Sequence, residues 1–312
     1  MKRITLAVAA LLAVALTFSA LGVASPGGGA VNKAAPLVKP KKKRKPAKPK
    51  LPPLPSVVKS RKHWEIGVKC DFPPFGFIDV RGNNDGYDVQ VARRFAQLAF
   101  GSKSKVHFTC VTTPSRIPTL MSGRVDIIVS TLTWTQARAD QIDFSIPYYS
   151  ATGRLLVPNS SSLTLSNLGG KTIVTTRGAL YAAFTRNCFK STKLLEVDSP
   201  ALAVSAVKDG RADTFMFDDA FVLGVATQDR DLKLTNDKFL NVPWGIGIRK
   251  GDTSMKRWVD AALRYMKKRD EFASILRKNA PARFVPSFLG NVPRPKNSFS
   301  YPVGKDVTAI CP

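Results

Sequence analysis

Apolar positions along the chain switch between strand and helix spacing from residue 64 to residue 278. Residues 64–69, WEIGVK, read as a short strand, and Pro73 and Pro74 end it because neither can donate to a ladder. Val89, Val91, Ala92, Phe95, Leu98 and Ala99 then fall on one helical face. Residues 106–111 predict a second strand. Pro114 opens a helix whose Ile117, Leu120 and Met121 face inward, Gly123 stops it, and residues 125–129 form a third strand. The alternation then repeats, with strands at 172–175, 194–197 and 212–217 and helices at 179–187, 200–209 and from Asp219 onward. A strand at 244–248 and a helical pattern over 254–278 follow.

Strands separated by helices imply an α/β protein with parallel, helix-covered sheets. The second unit begins and ends at two chain crossings, near 153–157 and 239–247. That order predicts one lobe from 63–152 plus 244–283, a second from 153–243, and a double-stranded hinge between them. A ligand belongs between the lobes, at the carboxyl ends of the strands. Residues 284–312, rich in Pro, Ser and Asn, predict a C-terminal tail wrapped over the surface.

Charge changes the picture at the amino end. Twelve Lys or Arg and no acid fall between Lys33 and Lys62, so this stretch with Lys2 and Arg3 carries more than half of the net charge of +26. Residues 1–24 read as an export signal: a basic start, an apolar run over 4–21 and the small residues Gly22-Val23-Ala24; an uncleaved anchor is the alternative. No Cys follows the signal, which argues against a lipid tether and for a periplasmic or extracellular protein. Residues 25–62 read as a disordered Lys/Pro-rich linker, extended by self-repulsion and polyproline geometry. It is either a spacer or a contact for anionic membrane or cell wall. The run PKKKRK has the look of a nuclear-import or nucleic-acid signal, but the export signal upstream argues against both.

The reactive residues argue against an enzyme. His63 and His107, the only histidines, show neither metal-ligand spacing nor a triad, and no metal or cofactor is expected. The run Gly169-Gly170-Lys171-Thr172 resembles the end of a phosphate loop, but Leu165 stands where the earlier Gly is needed. Cys70, Cys110, Cys188 and Cys311 form no CxxC, and an even count in an exported chain suggests two disulfides. Cys70 and Cys110 lie near the ends of strands expected to be neighbours. That favours 70–110 with 188–311, although four cysteines allow three pairings.

The stretch GYDVQVARRFAQLAF, followed by RIPTLMSGRVDIIVSTLTWTQARADQIDFSIPYY, has a specific order: an amphipathic helix, a helix ending in Gly before an apolar strand, and a hydroxyl-rich loop with an arginine. It resembles the signature of the periplasmic-type amino-acid binding proteins, the solute receptors of ABC importers, over most of residues 63–280. The resemblance implies the two-lobed type II periplasmic-binding-protein fold, a monomer, and an importer permease as partner. It also implies that Arg138 takes the ligand α-carboxylate and that Ser130, Thr131 and Thr133 offer hydroxyls or backbone groups. A planar guanidinium suits a carboxylate because it gives two parallel charge-assisted bonds. Asp218, at the end of the strand in RADTFMFDD, matches the family's ammonium-binding Asp, with Asp219 as a helix-cap neighbour. Phe72 stands where a family aromatic packs on the ligand. At Gly178-Ala179-Leu180 the family often has hydroxyl residues, so Leu180 leaves only a backbone N–H for an anion.

GVKCDFPPFGFID through RIPTL is similar to the aspartate/glutamate receptors of this family. Many receptors for neutral or cationic amino acids carry Asp at the place of Lys69. Lys69 and Arg116 therefore imply a second ligand carboxylate, and glutamate or aspartate as the solute. The rival readings are an amino-acid-binding sensor or adhesin not coupled to transport, motivated by the basic arm, and a dehydratase on the same fold. Asp218 argues against the dehydratase because it keeps the amino-acid clamp.

Overall fold

The computed structural model describes residues 49–312; the export signal and most of the basic arm lie outside the described residues. The first sheet has the order β5-β1-β6-β14-β7. Its strands are β1 (Trp64–Val68), β5 (Val106–Cys110), β6 (Ile127–Val129), β7 (Ile142–Phe144) and β14 (Gly247–Arg249). Strand β1 lies parallel to both neighbours, with Ile66 opposite Phe108 on one side and Ile127 on the other. Central parallel strands are covered on both faces, which explains the almost unbroken apolar runs of β1 and β6. The helices Tyr87–Phe100 and Thr253–Lys268 cover one face, and Trp258 meets Trp64 and Phe95 with ring centroids 5.1 and 5.6 Å apart. After β1 the chain makes a small antiparallel sheet of β2 (Asp71–Phe72), β3 (Gly76–Ile78) and β4 (Asn84–Asp85).

The second sheet has the order β10-β9-β11-β8-β12, with β13 also on β8. Its strands are β8 (Tyr149–Pro158), β9 (Thr172–Thr176), β10 (Lys193–Val197), β11 (Thr214–Asp218), β12 (Leu232–Leu234) and β13 (Phe239–Trp244). Strands β8 and β13 are the two crossings. They pair antiparallel from Tyr149–Trp244 to Gly153–Phe239, giving the expected double-stranded hinge. Trp244 is fully buried there and stacks on Tyr149 at 4.5 Å, so it packs the hinge.

Three expectations need correction. The sheets are mixed rather than wholly parallel: β14 runs antiparallel to β6 and β7, and β8 runs antiparallel to β11, β12 and β13. Both belong to the chain's passage between lobes, which reverses direction relative to the βαβ units. The end of the 25–62 linker is also folded. The short helix Ser56–Arg61 buries Val58, Leu51 and Leu54 pack on the core, and Arg61 pairs with Asp126. Three apolar residues, at positions 51, 54 and 58, make these contacts, a signal masked in the sequence by the surrounding Lys and Pro. Finally, the 284–312 tail does more than wrap the surface. Phe284 and Phe288 are buried, Tyr301 stacks on Trp134 and donates to the Ser145 carbonyl (2.6 Å), and Val307–Ala309 packs against the helix Leu180–Cys188.

Disulfides join Cys70 to Cys110 and Cys188 to Cys311. The first ties the end of β1 to that of its neighbour β5, and the second ties the tail to the second lobe. No helix among the described residues is long and apolar enough to cross a membrane.

Candidate functional site

The carboxyl ends of β6 and β11 lead into a narrow cleft between the lobes, closed down to about 10 Å³ of free space. Thr113, Arg116, Thr131, Thr133 and Arg138 line it from the first lobe, and Ala179, Leu180, Tyr181, Phe217 and Asp218 from the second.

Arg138 joins the two sides. It sits in the short helix Gln136–Ala139, whose cap is Thr135: the Arg138 N–H donates to the Thr135 hydroxyl at 3.3 Å. Its guanidinium donates to the Thr133 carbonyl at 2.5 Å and crosses the cleft to the Gly178 carbonyl at 2.8 Å. Gly178 has φ 74°, and a β-carbon there would lie 3.4 Å from the Pro114 Cα of the first lobe. A side chain at this position would meet both backbone strain and the opposite lobe. Burial pulls the Arg138 pKa down to about 9, with Arg116 adding and Asp218 opposing, so it remains a cation at neutral pH.

Arg116 is buried, and its Nη1 donates to the carbonyls of Ser130 (2.8 Å) and Thr131 (3.1 Å). Burial pulls it to about 10, against the attraction of Asp218. The loop it holds is unusual, because Thr131 has φ 48°, the left-handed region that a β-branched residue rarely adopts. Asp88 secures this conformation. Its Oδ2 accepts the Thr131 N–H at 2.8 Å, and its Oδ1 accepts the Tyr148 hydroxyl at 3.1 Å. Burial raises the Asp88 carboxyl to about 7, and those two hydrogen bonds oppose the rise.

Lys69 is only 1% exposed, so it is not a surface strand-end lysine. Its Nζ lies 3.0 Å from Asp71 Oδ1 and donates to the Thr113 hydroxyl at 3.0 Å. Burial draws its pKa down to about 8, against Asp71. It stands one layer behind the lining, with Thr113 between it and the cleft.

On the second lobe, Asp218 ends β11 and is 5% exposed. Its Oδ1 accepts the Tyr181 hydroxyl at 2.7 Å, and its side chain makes no cap bond to the helix that follows. Burial raises its carboxyl to about 7, with the Tyr181 bond opposing. Asp219 turns the other way, accepting the Thr152 N–H of β8 at 3.1 Å and Asn291 Nδ2 at 3.3 Å. It fastens the hinge to the tail rather than serving mainly as a cap neighbour.

Of the residues singled out from sequence, Arg116, Thr131, Thr133, Arg138, Leu180 and Asp218 line the cleft together. Leu180 is the first residue of its helix, and its apolar side chain is buried. Ser130 does not join them. Its carbonyl serves Arg116, and its Oγ is buried without a hydrogen-bond partner among the described residues. Phe72 does not line the cleft either. It is fully buried against Phe217 and Phe221 of the second lobe, 5.7 and 5.2 Å away, as an interlobe packing residue. Sequence reasoning missed Thr113, Tyr181 and Asp88. Tyr181 carries a hydroxyl one place beyond Leu180. Asp88, in the first turn of an amphipathic helix, looks like any helix-start acid until its distant partner Thr131 is known.

The model of the bacterial extracellular solute-binding proteins, family 3, matches residues 65–281. The glutamine-binding protein GlnH of an ABC transporter from Bacillus subtilis is 31% identical over 226 residues, covering 72% of this chain and 83% of the relative. A glutamine-binding protein of Geobacillus stearothermophilus is 33% identical over 196 residues, covering 62% and 75%. Among solved structures, a solute receptor for L-cysteine from Neisseria gonorrhoeae has a TM-score of 0.71 at 27% identity, covering 74% of this chain and 95% of that one.

Proposed function

Because the chain belongs to the bacterial extracellular solute-binding proteins of family 3, a family of receptors rather than enzymes, we propose that it captures an amino acid outside the cytoplasm and presents it to the membrane permease of an ABC importer. Arg138 receives the α-carboxylate and Asp218 the ammonium. Thr131 and Thr133 supply neighbouring polar groups. Touching both lobes at once favours the closed arrangement over an open one, because only the closed form offers both partners.

The observation that carries the choice of solute is the charge of the lining. On the lining itself Arg116 and Arg138 face one acid, Asp218; behind them Lys69 is matched by Asp71, and Asp88, its carboxyl raised to about 7, holds the Thr131 N–H. The lining therefore has an excess of one positive charge. A glutamate or aspartate zwitterion carries one net negative charge and neutralises it. Glutamine leaves it unpaired, and arginine adds another cation, at a cost of several kcal/mol for an unpaired buried charge (about 3–5 kcal/mol). Glutamate or aspartate is thus the proposed solute. Glutamine is the second reading, favoured by relatives named for it.

Thermal unfolding with each of the twenty amino acids tests the receptor reading. A ligand at about 100 times its dissociation constant adds about 2.7 kcal/mol of stability. Calorimetric titration then ranks glutamate, aspartate, glutamine and arginine. Glutamine binding as tightly as glutamate discards the acidic solute, and stabilisation by no amino acid discards the receptor.

A further inference from the structure

The chain has two histidines, 44 positions apart, and folding brings both to one carboxylate. His63 lies just before β1 and Glu65 lies within it, two residues apart and so on one face. His107 is the register partner of Glu65 on β5, the edge strand. His63 Nε2 lies 2.9 Å and His107 Nδ1 3.0 Å from the same oxygen, Glu65 Oε1. The imidazole centroids are 4.3 Å apart, and all the donor atoms fall within 4.8 Å of one another. Sequence spacing gave no hint of a metal site because the third donor arrives through strand pairing.

We propose that His63, Glu65 and His107 bind a divalent cation of the zinc class on the first lobe. Zinc–nitrogen and zinc–oxygen bonds of about 2.0–2.2 Å place tetrahedral donor atoms about 3.4 Å apart, close to the 2.9 and 3.0 Å of the two imidazole–carboxylate pairs here. Two imidazoles and a carboxylate suit zinc and the late first-row dications, whereas magnesium and calcium take oxygen donors. The His107 side chain is 65% exposed, so one side of the cluster is open to water as a further ligand. The cysteines are all held in disulfides and offer no competing thiolate. A net charge of +26 works against indiscriminate cation binding, so occupancy here needs specific donors.

The site lies at the amino end of β1, whereas Lys69 follows its carboxyl end. Four residues of strand at about 3.3 Å each put about 13 Å between Glu65 and Lys69. A bound cation would tie the segment entering β1 to the exposed edge β5 without entering the solute cleft.

The test titrates zinc chloride into the full, EDTA-treated chain by calorimetry, with magnesium chloride as the control, and repeats thermal unfolding with and without zinc. One equivalent of zinc, a rise in melting temperature and no response to magnesium are the expected results. His107→Ala should weaken zinc binding at least about tenfold, since loss of even an outer-shell partner costs that much. The double variant H63A/H107A should lose both the heat and the melting shift, and solute binding should not change in either variant. Absence of zinc binding in the parent chain, or zinc binding unchanged in the double variant, overturns the proposal. Should the double variant fail to fold, His107→Gln decides by the same tenfold criterion.

Discussion

The two lobes approach the cleft with opposite chemistry and different degrees of preparation. The first lobe brings the cations Lys69, Arg116 and Arg138, and each is already engaged: by Asp71 and Thr113, by two loop carbonyls, and by Thr133 and Gly178. The second lobe brings one acid, Asp218, held by one hydroxyl, Tyr181. Fixed carbonyls orient a guanidinium without cancelling its charge, so the first lobe is preorganised for an anion. The second lobe instead carries a buried carboxyl near neutrality that gains a full charge only when a cationic partner arrives. The contrast fits the proposed clamp, with the ligand α-carboxylate on the first lobe and its ammonium on the second.

Arg138→Ala should break this contrast most severely. It removes the proposed carboxylate partner and the bond to Gly178, and truncating one partner of a hydrogen-bonded charge pair in a closed, ligand-filled cleft costs about 2–5 kcal/mol. Calorimetry should register a loss of amino-acid affinity of at least about thirtyfold. Asp218→Asn should weaken binding less, since the amide oxygen still accepts from Tyr181 and from an ammonium. About tenfold is expected, corresponding to about 1.4 kcal/mol.

The same carboxyl gives a pH signature. In the folded chain it titrates near 7, above its ordinary 3.8, so the folded state holds a proton the unfolded state has lost. Its contribution to stability is full below about 3.8 and declines as pH rises through about 7. Asp88, also near 7, and Asp219, near 6, act in the same sense. Ligand-free protein should therefore lose thermal stability between those limits from these groups. An ammonium that draws Asp218 into its charged form should release up to one proton on binding near pH 6. Calorimetry in two buffers of different ionisation enthalpy reads that release, and Asp218→Asn should abolish it.

Within the first lobe, Asp88→Asn separates preparation of the loop from contact with the ligand. An amide presents only one acceptor, and because the Thr131 N–H also donates to the Tyr148 hydroxyl oxygen at 3.2 Å, it is the Tyr148 hydroxyl proton that loses its acceptor. A buried unsatisfied group costs about 1–3 kcal/mol, to be read as a lower unfolding midpoint. Gly178→Ala should cost about 1–2 kcal/mol for placing a β-carbon at positive φ. The backbone cost should lower the unfolding midpoint, and the 3.4 Å approach to the Pro114 Cα should add a loss of ligand affinity.

Legibility in the sequence followed the range of the interactions. The βαβ runs, the glycine stops and the two crossings are local patterns, and they placed the lobes and the hinge strands β8 and β13. The place of Arg138 and Asp218 on the cleft lining was legible because each sits beside its own marker, a hydroxyl loop and a strand end. The direction of β8 and β14 was not, because apolar spacing is the same in parallel and antiparallel strands. Ser130 and Phe72 were drawn toward the ligand by position alone. Their side chains find other surroundings once Arg116 and the second lobe's aromatic residues pack against their neighbourhood.

The sequence by itself determined the α/β architecture, the family pattern and the charge type that each lobe offers, since these depend on residue identity and short periodicity. Tertiary structure decided which cations stand at the cleft and which behind it, why Thr131 tolerates a left-handed backbone, and that two distant histidines share one carboxylate. Those facts depend on register and burial, where a hydrogen bond across forty or more residues is as strong as one across four and leaves no periodic trace in the chain.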